Sequence, residues 1–204
     1  MGKLNLIKGA WTGKVGELVG AKWKATNTLH SFTKPSNPNT AAQQAVRTPF
    51  GQMTAFVSLF AEGIKYLSSL NTRNQSVRNA IIQLNKTQIS GGTFDPATLQ
   101  VNKGGLPQVA GFTATASTGG VSCTWTPPTA SNISANAVVV VVAVDKENLR
   151  AATASKPASE GATALVVETG SPSKAKLDVY AYLIDKRGSY KAGSNSQYAT
   201  VTLA

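Results

Sequence analysis

From Leu106 to the end of the chain, short segments of alternating apolar and polar residues recur about every ten residues, with turn-forming residues between them. This spacing is typical of an all-β sandwich, in which short strands build two packed sheets. We expect seven strands, near residues 109–116, 120–126, 136–145, 149–155, 162–168, 175–186 and 196–203. The C-terminal half is therefore predicted to be a β-sandwich.

The first part of the chain also has a strand pattern, but it is punctuated by glycines. Residues 14–20 and 21–25 read as two strands joined by a tight turn, and residues 28–33 as a possible third. An isolated hairpin is only marginally stable in water. We therefore expect these strands to lie on another element or on another subunit.

Between these two regions the pattern becomes helical. Thr40 stands three residues before Gln43, the spacing of a capping box, and this predicts a helix start at Thr40. Pro49 predicts a kink or a new start. Apolar residues then mark one buried face, at Phe50, Met53, Val57, Phe60 and Ile64. A second helix is expected over residues 72–85, burying Val77, Ile81, Ile82 and Leu84.

These patterns predict two modules. Residues 1–90 form an α+β module of β-hairpins and a helical hairpin, residues 91–105 a linker, and residues 106–204 the all-β sandwich. The charge follows the same division, because residues 1–90 hold eleven Lys or Arg against two acidic residues, whereas residues 91–204 hold nine against seven. The basic half is therefore expected to bind a partner.

The sequence offers little for catalysis or metal binding. The chain has one histidine, His30, and one cysteine, Cys123, so neither a disulfide nor a multi-thiolate metal site is expected. Asp145 and Glu147 lie near one strand end, without the spacing of a calcium loop. We expect a protein that is not an enzyme, with no catalytic residues, no metal site and no cofactor. Cys123 alternates with polar neighbours and is predicted to be a buried, inert thiol.

The longest aliphatic run, Ala137–Val144, is too short to span a bilayer, and the N-terminus lacks the apolar stretch of a secretory signal. These features predict a soluble protein that is made in a cytoplasm and has no membrane partner.

Two parts of the chain resemble known families. The segment Val121–Pro128, with Trp125 before a proline-rich turn, and the later strands 176–185 and 197–203 resemble a fibronectin type III or immunoglobulin-like domain. That resemblance implies a fold and a binding or spacer role, but no chemistry.

The N-terminal half resembles an uncharacterised family found in Bacteroidota genomes and phage-like gene clusters. The resemblance lies in Gly13–Gly16, the pair Trp23-Lys24, and the Asn-Pro-x-Thr-x-x-Gln-x-x-x-Arg-x-x-Phe signature over residues 37–50. The chain has Leu29–Phe32 where members often carry Arg-Ser-x-Pro. The resemblance implies a virion structural protein of a phage or prophage.

Aromatic residues and lysines are interleaved in the basic half and mark a candidate assembly interface, at Trp11, Lys14, Lys22, Trp23, Lys24 and Arg47. Such residues can dock on an acidic protein surface, form part of a plain core, or bind nucleic acid by stacking and phosphate contacts. We expect a capsid-, neck- or tail-associated virion protein, made in the bacterial host cytoplasm. Its partners would be other virion proteins and further copies of itself. A nucleic-acid-binding protein and a host-surface adhesion module remain the alternatives.

Overall fold

The chain divides into two compact units, Met1–Thr40 and Ala41–Ala204, which we call the N-terminal unit and the C-terminal unit. Helices and β-sheets are both present, which confirms the predicted mixed α and β content. The division differs from the predicted boundaries at residues 90 and 105, because the helices share a hydrophobic core with the later strands. The computed structural model describes residues 13–23, 26–34, 36–70, 75–89, 94–118, 120–129, 133–161, 165–187 and 190–204.

The N-terminal unit contains an antiparallel sheet of three strands, β1 (Gly13–Val15), β2 (Leu18–Trp23) and β3 (Thr26–Ser31), in the order β1-β2-β3. The β1–β2 turn depends on Gly16, whose φ of 58° favours glycine. The sequence predicts a turn near Gly20 instead. Gly20 lies inside β2, so one continuous strand replaces the end of the first predicted strand and most of the second.

The C-terminal unit begins with three helices, α1 (Ala41–Ser58), α2 (Val77–Leu84) and α3 (Lys86–Ile89). α1 continues through Pro49, where the sequence predicts a kink or a new start. Proline removes the hydrogen bond to the carbonyl of residue 45, but the helix is continuous on both sides of Pro49. α2 begins at a capped end, because the Ser76 hydroxyl accepts a hydrogen bond from the Asn79 amide at 3.2 Å.

The strands of the C-terminal unit form two antiparallel sheets. One has the order β4-β5-β8, and the other has the order β10-β9-β6-β7, with β11 also paired to β9. Their bounds are Thr113–Ser117 (β4), Gly120–Thr124 (β5), Val138–Asp145 (β6), Arg150–Pro157 (β7), Leu165–Glu168 (β8), Lys176–Arg187 (β9), Tyr190–Gly193 (β10) and Gln197–Thr202 (β11). Each of the seven predicted strands overlaps one of these, and β10 is additional.

Two hydrophobic cores lie on opposite faces of the sheet that contains β6 and β9. Val139, Val141 and Ala143 of β6 belong to a core shared with β5 and β8. The alternate residues of β6, at positions 140, 142 and 144, belong to a second core with α1 and α2. Because β6 is buried on both faces, its sequence is apolar without interruption.

The predicted linker is also packed where the structure describes it. Leu99 and Val101 belong to the second core. Asn102 is fully buried; its side chain accepts a hydrogen bond from the Ser69 amide at 3.0 Å and donates one to the Ser194 carbonyl at 2.8 Å. These bonds tie the segment to the chain after α1 and to the end of β10.

Candidate assembly interface

The structure brings part of the predicted interface together on the sheet of the N-terminal unit. Lys14 lies in β1, and Lys22 and Trp23 lie at the end of β2, where they pair with Asn27 and Thr26. Arg47 lies on α1 and belongs to the C-terminal unit. The remaining two predicted residues, Trp11 and Lys24, lie outside the described residues.

Neither hydrophobic core includes a described residue of the N-terminal unit. Where the burial of this unit is described, at residues 13, 14, 16–21, 28–34 and 36–40, Gly20 is the one buried residue. Leu18 and Phe32 keep 45% and 44% of their surface exposed. A small sheet needs a hydrophobic face packed on something else to be stable. The expectation that these strands lie on another element or subunit stays a prediction.

An exposed aromatic residue that the sequence does not single out adds to this surface. The Lys14 ammonium lies 3.6 Å from the centroid of the Phe32 ring, a cation–π contact. These two residues line a shallow groove with Val19 and His30. The groove therefore offers a cation and apolar surface side by side. Because the contact joins β1 to the residue after β3, only the strand pairing reveals it.

Basic residues far outnumber acidic residues in this unit. Residues 1–40 contain six lysines and a single acidic residue, Glu17. Lys14, Lys34 and Glu17 are all exposed. A surface of this kind attracts anionic partners, and the attraction weakens as salt is added.

The acidic residues of the C-terminal unit that the sequence brings up for metal binding have structural partners. The Asp145 carboxylate accepts hydrogen bonds from the Glu147 and Asn148 amides, at 3.1 and 3.0 Å. Burial alone would raise the pKa of Asp145, but these bonds and one from Ser171 hold it below its usual value. Within the described part of the chain, no group of three or more His, Cys, Asp or Glu side chains is arranged to bind a metal.

Two further acidic residues of β9 are held by hydroxyl groups. The Tyr198 hydroxyl donates a hydrogen bond to Asp178 at 2.7 Å. The Ser134 hydroxyl donates a hydrogen bond to Asp185, as does the Ser134 backbone amide, the latter at 3.1 Å. Cys123 is fully buried, as predicted, and burial raises the pKa of its thiol to about 12. His30 is exposed on β3. These positions stabilise local structure and do not converge on one cleft.

The arrangement defines a protein of mixed α and β structure with a two-core C-terminal unit and a small basic sheet. Searches with the sequence and the structure found no match among family models, curated proteins or solved structures. Among the described residues, no helix combines the length and the apolar character needed to cross a membrane.

Proposed function

We propose that the protein is a non-enzymatic structural component of a bacteriophage virion, which attaches to the particle through its N-terminal unit. The observation that carries the proposal is the contrast between the two units. The C-terminal unit has two hydrophobic cores of its own. The N-terminal unit has a basic three-stranded sheet, and neither core includes any of its described residues. Such a sheet gains its stability when it docks on a partner.

The attachment surface in this proposal consists of the predicted interface residues that belong to the N-terminal unit, with Phe32 added. They are Trp11, Lys14, Lys22, Trp23, Lys24 and Phe32. Apolar and aromatic groups supply most of the binding free energy at protein interfaces, while lysines at the rim guide association. The sixth predicted residue, Arg47, lies on α1 of the C-terminal unit.

We further propose that the C-terminal strands form an immunoglobulin-like domain of the fibronectin type III kind. In the immunoglobulin scheme, strands A, B and E share one sheet, and strand C lies between C′ and F in the other, with G beside F. The order β4-β5-β8 matches A-B-E, and the order β7-β6-β9-β11 matches C′-C-F-G. Here α1 and α2 cover the outer face of the second sheet, so that face would not be free for binding.

The phage context is supported by the sequence resemblance over residues 13–50. In a symmetrical particle, each subunit needs only a modest contact, because many copies bind at once. A small docking unit on a stable domain suits such an assembly. The same reasoning predicts that single copies bind their site weakly.

Deletion of residues 1–34 tests the proposal. The truncated protein should remain folded, because no described residue between positions 13 and 34 belongs to either core, but it should be absent from purified particles. As a control, Lys86→Glu combined with Lys103→Glu changes two exposed lysines of the C-terminal unit and should leave incorporation unchanged. Normal incorporation of the truncated protein would refute the proposal.

The nucleic-acid alternative makes a different prediction. If the basic sheet bound DNA, the full-length protein would shift single- or double-stranded DNA at about 50 mM salt, and the affinity would fall steeply with added salt. We expect no shift under these conditions. A shift that Lys14→Glu and Lys22→Glu abolish would favour DNA binding over assembly.

A further inference from the structure

We infer that the outer edge of β3 is the docking site for an extended, acidic segment of a partner protein, which adds a fourth strand to the sheet. The inference rests on the proposed function, because it names the edge and the partner chemistry through which the N-terminal unit attaches. It depends on three observations: the direction of the backbone groups of β3, the absence of edge protection in its sequence, and the distribution of charge.

The backbone groups of β3 alternate between the two sides of the strand. The Phe32 amide donates a hydrogen bond to the Glu17 carbonyl at 2.6 Å, which fixes a hydrogen-bonded position at the end of the β2–β3 ladder. Bonded and non-bonded pairs alternate along an antiparallel ladder. The non-bonded pairs therefore include Leu29 with Gly20, and the N–H and C=O groups on the β3 side of these pairs point away from β2. The residues of β3 with outward backbone groups are Asn27, Leu29 and Ser31.

The sequence of β3 lacks the features that normally prevent an edge strand from pairing. Natural edges are short, or carry a charged residue, a proline or a bulge. β3 is six residues long, contains no Lys, Arg, Asp, Glu or Pro, and pairs with β2 without a bulge. By contrast β7, at an edge of its sheet, begins at Arg150 and ends with Lys156 and Pro157. β4 and β11 are edge strands that likewise lack charged residues and proline, but among the described strands only β3 combines such an edge with membership of the basic N-terminal unit.

The positive charge of the N-terminal unit favours an acidic partner segment over a second copy of the chain at the β3 edge. The N-terminal unit has six lysines and one acidic residue, and the C-terminal unit has fourteen basic residues and eight acidic ones. A second copy would therefore bring like charge to the edge, which disfavours pairing of two β3 strands. An acidic segment would instead meet the Lys14 ammonium, which lies over the Phe32 ring next to the end of β3. Main-chain bonds would hold such a segment in register, and alternate side chains would supply specificity.

The test uses the full-length protein and a labelled peptide of about ten residues that alternates Thr with Glu, a sequence that suits a strand. Binding is followed by fluorescence anisotropy, and amide hydrogen exchange of the protein by NMR. We expect binding of this peptide and none of a matched peptide that alternates Thr with Lys. On binding, exchange at Leu29 and Ser31 should slow by at least about tenfold, while exchange at His30, already bonded to β2, should change little.

Leu29→Pro removes an outward N–H without breaking the β2–β3 ladder, since proline is tolerated at such edge positions. Its matched control is Leu29→Thr, which also removes the leucine side chain but keeps the N–H. We expect Leu29→Pro to weaken peptide binding at least about tenfold and Leu29→Thr to change it less than about twofold.

Several outcomes would overturn the inference. In the first two, the Thr-Glu peptide does not bind at all, or Leu29→Pro binds it as well as the unchanged protein does. The other two outcomes are amide exchange at Leu29 that is already slow in the free protein, and self-association of the protein that Leu29→Pro abolishes. If the β3 edge fails while deletion of residues 1–34 still prevents incorporation into particles, the proposed function stands and the unit docks through another surface. If the deletion has no effect, the proposed function fails as well.

Discussion

Replacement of Phe56 by alanine should destabilise the whole C-terminal unit, including the sandwich strands. The Phe56 side chain is 2% exposed, and its ring centroid lies 5.9 Å from that of Phe60, 5.5 Å from that of Phe94 and 6.3 Å from that of Tyr180. Truncation of a buried phenylalanine to alanine lowers the free energy of unfolding by about 3–5 kcal/mol. For a unit of this size, that corresponds to a fall of about 10 °C in the unfolding midpoint.

Trp125 reports on this change from the opposite core. Its indole N–H donates a hydrogen bond to the Ala158 carbonyl at 3.0 Å, inside the core between the two sheets. The other two tryptophans, Trp11 and Trp23, are replaced by phenylalanine so that fluorescence follows Trp125 alone during thermal or urea unfolding. Because the sheet of β6 and β9 packs against both cores, loss of packing on the helix side should lower the unfolding midpoint that Trp125 fluorescence reports.

Phe50→Ala provides the matched control on the same helix. Phe50 is 47% exposed, so its truncation should cost at most about 1 kcal/mol. If Phe56→Ala and Phe50→Ala give the same unfolding midpoint by Trp125 fluorescence, the helices do not form a common core with the sandwich. The division of the chain after Thr40 would then be wrong.

Three further predictions concern buried groups of the C-terminal unit. Tyr182→Phe should leave the free energy of unfolding unchanged or raise it by up to about 1 kcal/mol, because no hydrogen-bond partner for its buried hydroxyl lies among the described residues; Tyr180→Phe should lower it by about 1 kcal/mol, because the hydroxyl loses a 2.7 Å bond to Pro96. The folded-state pKa of Asp145 lies below its usual 3.8. Its contribution to the free energy of unfolding is therefore complete above pH 3.8 and is lost as the pH falls through the folded-state pKa. In urea unfolding, Asp145→Asn should lose less stability on acidification than the unchanged protein does, and an equal loss would contradict this. Cys123 should react with a thiol reagent at pH 8 only as fast as the unit unfolds, since burial holds its pKa near 12; rapid labelling of the native protein would exclude this placement.

The strands of the C-terminal unit follow from local sequence patterns. Alternation in β5 and β11 and the turn residues between strands locate most of them to within a few residues. The helices are predictable in part: Met53 and Val57 are buried at helical spacing, but Phe50, predicted on the same face, is exposed. α1 ends at Ser58, before the predicted positions Phe60 and Ile64. These signals depend on neighbours in the sequence, so one chain is enough to read them.

The packing partners of these elements are not predictable in the same way. The uninterrupted run Val138–Val144 indicates a strand that is buried on both faces, but it does not say what covers the second face. The helices have an apolar face that any sheet could accept, so the sequence allows a separate helical module as readily as the observed common core. Pro49 illustrates a local rule that context overrides, because α1 continues from Ala41 to Ser58 through the proline.

The sequence predicts which types of residue form the candidate interface, but it does not predict how they are arranged. Interleaved lysine and tryptophan residues identify the basic N-terminal unit as a binding region. The contact of Lys14 with Phe32 and the open edge of β3 depend on strand register, which glycine positions specify only in part. The sequence groups Arg47 with these lysines, and the structure assigns it to the C-terminal unit, so its part in the interface stays a prediction.

The central claim is that the N-terminal unit attaches the protein to its assembly, while the C-terminal unit is stable by itself. Hydrogen exchange with mass spectrometry, on the isolated protein and on the purified assembly, tests it most directly. The account predicts that peptides covering residues 13–31 exchange rapidly in the isolated protein and are protected in the assembly. It also predicts that peptides covering β6 and β9 are protected equally in both. Unchanged exchange of residues 13–31 on assembly would contradict the account.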